Sequence, residues 1–163
     1  MKILVDAFGG DNAPIEIVKG AIDALKLNDE FTLVLLGDQN VVNEELKKYT
    51  FDASRVEVVD APEVITCEEE PTVAIRQKPN SSLCVAFKIL KEDPDAAALV
   101  SAGSTGAVLV GATLKVGRIP GVSRPALCPM LPTLDGKNVL MLDVGANADC
   151  KANNLVDFAL LGN

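Results

Sequence analysis

Histidine and tryptophan are absent from this 163-residue chain, and the other aromatic residues are few. Without histidine there is no imidazole general base, no Ser-His-Asp triad and little scope for a zinc site. With aromatics at 4%, the core has to be built mainly from Val, Leu, Ile and Ala. Positive charge is also in short supply: 15 Lys and Arg face 23 Asp and Glu, a net charge of −8. Broad nucleic-acid binding needs a basic face, so that class of partner is not expected. No stretch approaches the roughly 20 apolar residues of a membrane-spanning helix, and the opening Met1 to Asp6 is too short and polar for a signal peptide. The cysteines, Cys67, Cys84, Cys128 and Cys150, lie far apart with no C-x-x-C pair. They read as reduced, mostly buried thiols of a cytoplasmic protein.

What is present describes a folded globular protein: 48% of residues are hydrophobic and 23% charged. The length suits one domain, 1–163, with a sizeable core. Ile3-Leu4-Val5 reads as a short strand. Pro14 suits the first turn of a helix whose apolar positions are Ile15, Val18, Ile22 and Leu25. Phe31 to Leu36 is a second strand closed by Gly37, and Asp38 caps a helix carrying Val42, Leu46 and Tyr49. Val56 to Val59 is a third strand. From Ala61 to Asn80 the pattern breaks into a long loop with the acidic run Glu68-Glu69-Glu70 and a helical turn around Val73 to Arg76. Loops of that length are usually functional.

Ser81 or Ser82 caps the next helix, which bears Leu83, Ala86, Phe87 and Leu90 on one face. Ala96 to Val100 is a buried strand leading into a helix with Leu109, Val110, Ala112 and Leu114. Ala126 to Leu131 and Val139 to Leu142 read as a hairpin around Asp135-Gly136. A last helix carries Leu155, Phe158 and Ala159, with Gly162 suited to its C′ position. Alternating strands and helices predict an α/β fold, a three-layer α/β/α sandwich with a mostly parallel sheet and one antiparallel hairpin.

In such sheets ligands bind beyond the carboxyl ends of the strands. The loops 6–14, 101–107 and 143–151 all fall there. The most informative is Ser101-Ala102-Gly103-Ser104-Thr105-Gly106-Ala107, a strand-to-helix turn. Small residues permit a sharp turn and close approach of a ligand to the backbone. Helix starts offer unpaired N–H groups, and Ser104 and Thr105 add hydroxyls that can cap the helix or bind an anion. Gly9-Gly10 lacks the G-x-G-x-x-G spacing of a dinucleotide loop, although Asp38 after strand two stands where a ribose-binding acid belongs. Gly103 to Gly106 lacks the P-loop spacing and its lysine, which argues against ATP hydrolysis.

Anion binding without a nucleotide signature is what remains. Arg76 and Lys78 can supply positive charge, or stand as solvated loop residues. Asp6, Asp11, Asp143 and Asp149 are candidate acids that can equally cap turns or helices. Asn147 can orient a carbonyl or phosphate, or simply suit a left-handed turn.

The blocks Val5 to Pro14, Ala74 to Lys78 with Ser81-Ser82, Ser101 to Ala107, Arg124 to Leu127, and Leu142 to Lys151 together resemble the bacterial phosphate acyltransferase (PlsX) family, in family order across nearly the whole chain. The resemblance implies attack of inorganic phosphate on the thioester of an acyl-[acyl-carrier-protein], giving acyl phosphate and free carrier protein for phospholipid synthesis. It implies a fold akin to phosphotransacetylases and isopropylmalate-type dehydrogenases and no cofactor or metal. It also implies a homodimer, a cytoplasmic enzyme with peripheral membrane contact, and a downstream glycerol-3-phosphate acyltransferase as partner.

On this reading Arg76, Lys78, Asn147 and Asp149 carry the catalysis. Asp6, Gly9, Gly10, Asp11, Asn12, Gly103, Ser104, Thr105, Gly106 and Asp143 bind phosphate and substrate. The family commonly has His where this chain has Asn12, and Asn where it has Ser104, so no general base is expected at position 12. Phosphate needs none, being already nucleophilic near neutral pH. Members are about twice as long, so residues 1–163 are expected to be either a single α/β domain or the N-terminal half of a longer α/β/α enzyme. Two rivals are a phosphotransacetylase-like enzyme using acyl-coenzyme A and a non-catalytic module that dimerises or docks on lipid enzymes.

Overall fold

The computed structural model describes residues 1–163, which divide into two compact units, Met1–Val116 and Gly117–Asn163. The first unit is built on strands β1 (Lys2–Asp6), β2 (Thr32–Gly37), β3 (Val56–Asp60) and β4 (Ala96–Val100). They form one parallel sheet in the order β3-β2-β1-β4, with Val5 opposite Leu35 on one side and Val100 on the other. Its helices are α1 (Ile15–Leu27), α2 (Gln39–Leu46), α3 (Pro71–Gln77), α4 (Ser82–Glu92) and α5 (Thr105–Gly111). A π-helical stretch, Ala112–Val116, continues α5.

Strand alternation sorts the central side chains into two cores. Val5, Leu33 and Leu35 turn towards α1 and α2, where they meet Val18, Ile22, Leu25, Val42 and Leu46. Leu4, Val34 and Leu36 turn the other way, with Ala86 of α4. A further cluster of Ile75, Leu83, Cys84, Phe87 and Ala107 binds α3 and α5 to α4. The expected α/β/α sandwich is therefore present, with helices on both faces of a parallel sheet.

Local chemistry sets the boundaries. Asp38 caps α2 by accepting the N–H groups of Asn40 and Val41, so its carboxylate is committed and stands as a cap where a ribose-binding acid was considered. Between the two serines before α4, Ser81 is the cap, accepting from Cys84 N–H at 3.3 Å. The stretch read as a long loop contains α3, a true two-turn helix with Pro71 in its first turn. Its start is fixed by Glu70, which accepts from Thr72 and Val73 N–H, so part of the acidic run is a cap. The helical pattern placed Ile15 on the core face, yet it is 51% exposed, at the very start of α1 where the core does not reach. The cysteines also depart from expectation: Cys84 is buried, whereas Cys67, Cys128 and Cys150 lie exposed in loops.

The second unit holds an antiparallel hairpin, β5 (Met130–Pro132) with β6 (Asn138–Leu140), and helix α6 (Ala152–Leu161). The turn is closed by Thr133 N–H to Lys137 O at 2.9 Å and Gly136 N–H to Thr133 O at 3.1 Å, with Gly136 at φ +78°. The strands are shorter than the apolar runs predicted, and β5 begins only after Pro129, which brings no N–H to the ladder. Gly162 caps α6 at φ −90°, not in the left-handed C′ conformation expected, and its N–H bonds to Phe158 O. No helix is long and apolar enough to cross a membrane.

Candidate functional site

At the carboxyl end of the sheet, β1 delivers a carboxylate into the interior. Asp6 is 4% exposed and accepts hydrogen bonds from Ser82 Oγ at 2.5 Å, Ser101 Oγ at 2.7 Å and Phe8 N–H at 3.3 Å. Ser82 opens α4 and Ser101 follows β4, so one side chain ties together the ends of three elements. Ser101 Oγ in turn accepts the N–H of Gly103 at 3.1 Å. Burying a carboxylate costs several kcal/mol unless donors surround it, and here hydroxyls and an amide do so. Asp6 is thus held by three protein donors.

The glycines of these loops serve the same junction. A Cβ on Gly9 would lie 2.5 Å from Asp6 Oδ2 and 2.7 Å from Ser101 Oγ. One on Gly103 would come within 3.2 Å of the Gly9 Cα, so the two loops pack backbone to backbone. Gly10, at φ +112°, lies against Ala102. Gly106 meets Pro71, whose ring would stand 2.8 Å from an added Cβ, and this lets the starts of α3 and α5 touch. The predicted convergence of loops 6–14 and 101–107 therefore exists, fastened by Asp6 and by close glycine contacts.

Around this junction the turn stays open. Ser104 caps α5 by accepting Ala107 N–H at 3.3 Å, while Thr105 and Gly106 N–H have no protein acceptor. Thr105 is exposed, as are Asp11 and Asn12. Arg76 sits in the last turn of α3, exposed and without a carboxylate in ion-pair range. Lys78 is engaged: its Nζ donates to Val64 O and Glu69, both at 2.7 Å. The Lys78 ammonium, followed by the Thr66 N–H, holds the Glu69 carboxyl below the usual carboxylate range. Arg76 is thus the free cation of the pair. A cleft of about 270 Å³ opens alongside, lined by Phe8, Gly10, Asp11, Ile65, Thr66 and Cys67 among others.

The third predicted loop belongs to the second unit. Asp143 accepts from Leu127, Ala146 and Asn147 N–H and from Asn147 Nδ2, at 2.8–3.1 Å. Asn147 Nδ2 also donates to Pro125 O at 2.9 Å. These two residues knit 125–127 to 143–147, and Asp149 is exposed with no bond from its side chain. Burial pushes the Asp143 carboxyl up, but the bonds from Asn147, Leu127 and Ala146 outweigh it and hold the group below its ordinary value. A depressed carboxylate contributes stability that is complete above the unfolded value, about 3.9, and is lost as pH falls through the lower folded one. Asp143→Asn should therefore lower Tm at neutral pH and flatten the fall of Tm below about pH 4, as measured by thermal melts across pH.

Sequence reasoning missed Ser82 as a partner of Asp6 and Glu69 as the partner of Lys78. A signal for the first was present: of two adjacent serines at a helix start only one can be the cap, which frees the other.

The first unit defines an α/β/α sandwich with a small-residue turn at the carboxyl edge of its sheet. Over residues 1–163 the chain matches the family model described as "Fatty acid synthesis protein". It is 51% identical to a "Phosphate acyltransferase" from Clostridium beijerinckii over 162 residues, 99% of this chain and 48% of that relative. Relatives of the same name from Clostridium novyi and Dictyoglomus thermophilum are each 48% identical, with 99% of this chain and 48% of the relative covered. The chain belongs to the fatty acid synthesis protein family, and it spans about half the length of the curated relatives it matches.

Proposed function

We propose that the chain serves acyl transfer to phosphate: acyl-[acyl-carrier-protein] and inorganic phosphate give acyl phosphate and free carrier protein. The observation that carries this reading is family membership over the whole chain, with relatives named for that class of activity. The geometry of the first unit supports it. The turn 101–106 offers two unpaired N–H groups and the Thr105 hydroxyl, and α3, which carries the unpaired Arg76, packs on the start of α5. Phosphate is held there while one of its oxygens attacks the thioester carbonyl. Collapse of the tetrahedral adduct expels the thiolate, and the proton carried by hydrogen phosphate balances the one the thiolate takes up. Proximity supplies much of the rate, and N–H groups stabilise the oxyanion.

On this proposal residues 1–163 correspond to the N-terminal half of a longer α/β/α enzyme. The carrier protein is the acyl donor, with a second copy of the chain and a downstream acyltransferase as further partners. The test is formation of acyl phosphate, trapped as hydroxamate, from acyl-carrier-protein with and without phosphate. Phosphate-dependent hydroxamate is expected; formation independent of phosphate, or none at all, overturns the reading. Substituting acyl-coenzyme A as donor decides against the carrier protein if it is used as well or better. Arg76→Ala should raise the phosphate KM about ten- to a hundredfold, since a charge-assisted bond contributes about 1.5–3 kcal/mol, with partial recovery in Arg76→Lys.

A further inference from the structure

A carboxylate beside an anion site poses a question that ligand binding does not answer. Asp6 would repel phosphate, yet it lies at the centre of the junction, 4% exposed. Its oxygens are occupied by Ser82 Oγ, Ser101 Oγ and Phe8 N–H. Both hydroxyls donate to its oxygens. That fixes their rotors. With its hydrogen committed to Asp6, Ser101 Oγ presents its lone pairs to the chain ahead and accepts Gly103 N–H at 3.1 Å. The backbone is thereby bent at Ala102-Gly103, immediately before the residues whose N–H groups remain open. Gly9 leaves no slack, since its missing Cβ is what lets Asp6 and Ser101 meet.

We infer that Asp6 is a positioning residue: through Ser101 it sets the Ser101–Thr105 turn in the conformation that receives phosphate, and through Ser82 it locks that turn to α4. The phosphate in this statement rests on the function proposed above. The linkage Asp6–Ser101–Gly103 is a property of the fold and is tested separately.

The experiment takes the 163-residue chain and the variants Ser101→Ala, Asp6→Ala, their double, and Asp6→Asn. Two quantities are read: amide hydrogen exchange at Gly103, and the phosphate KM with kcat. In Ser101→Ala and Asp6→Ala, Gly103 should exchange at least about tenfold faster and the phosphate KM should rise about tenfold, with kcat changed much less. The double variant should match the worse single one, because the two groups act in series. Asp6→Asn, which keeps an acceptor without the charge, should fall between. Should Asp6→Ala fail to fold, Ser101→Ala alone decides, as it cuts the same path with the carboxylate still held by Ser82 and Phe8 N–H. Unchanged Gly103 exchange in Ser101→Ala overturns the positioning role. So does a phosphate KM that stays at the wild-type value while Gly103 exchange rises. A wild-type chain that makes no acyl phosphate overturns the functional reading instead, and the exchange result still settles the linkage.

Discussion

Gly9→Ala is expected to destabilise the first unit by about 2–4 kcal/mol and to weaken the proposed phosphate binding at least about tenfold, while Gly20→Ala should stabilise the unit by about 0.5–1 kcal/mol. The two glycines lie in one stretch of chain but differ in backbone setting, a loop against a helix, and in what surrounds them. A Cβ at position 20 meets nothing within 4 Å and sits inside α1, where alanine is the better helix former. A Cβ at position 9 would lie 2.5 Å from Asp6 Oδ2, 2.7 Å from Ser101 Oγ and 2.9 Å from Asp6 Cγ. Those atoms end side chains that in solvent would swing aside. Here Asp6 is buried, Ser101 is half-buried and the two are bonded to each other, so moving either breaks a hydrogen bond to a carboxylate. Urea unfolding followed by circular dichroism, with phosphate titration of each variant, measures both effects. A Gly9→Ala chain of wild-type stability and phosphate affinity would show that the junction has room, and that the tight Gly9 contact does not matter.

The contrast between these glycines also marks what the residue order revealed and what it concealed. The parallel α/β/α architecture was legible because short apolar runs such as Ile3 to Val5 and Phe31 to Leu36 alternate with stretches such as Val18, Ile22 and Leu25 that keep helical spacing. The cap at Asp38 was equally visible, whereas the choices between Ser81 and Ser82 and between Ser104 and Thr105 stayed open until the fold selected Ser81 and Ser104. The role of Asp6 was not visible. From sequence, an acid at a strand end beside two glycines looks like a ligand contact. Only the fold brings Ser82 and Ser101, 76 and 95 residues away, to its oxygens. Lys78 posed the same difficulty: its partner Glu69 lies in an acidic run that the sequence places in a long loop without a partner. Helix α3 was half seen, because its start depends on a glutamate cap, which sequence patterns weigh less than Ser or Asp. In each case the decisive contact is long-range or unconventional, whereas the legible ones are local and periodic.

Leu35→Ala should lower the stability of the first unit by about 2–5 kcal/mol and leave the phosphate KM within about twofold at temperatures where the chain stays folded. Leu35 is 0% exposed on β2, packed into the core that α1 and α2 cover. Truncation removes its transfer free energy and leaves a cavity that two helices and a parallel sheet cannot readily close. That core is not the cluster that carries α3, α4 and α5, which is built instead on Ile75, Leu83, Phe87 and Ala107. Stability and site geometry should therefore separate at Leu35. At Ile75, 0% exposed in α3, they should not: Ile75→Ala is expected to cost a similar free energy and also to loosen the packing of α3, the helix that carries Arg76, against α5. Leu27→Ala, at a side chain 88% exposed, sets the baseline within about 0.5 kcal/mol. If Leu35→Ala and Ile75→Ala weaken phosphate binding equally, the two cores act as one. The turn would then be held by the sheet as a whole, with no special part played by the helices behind it.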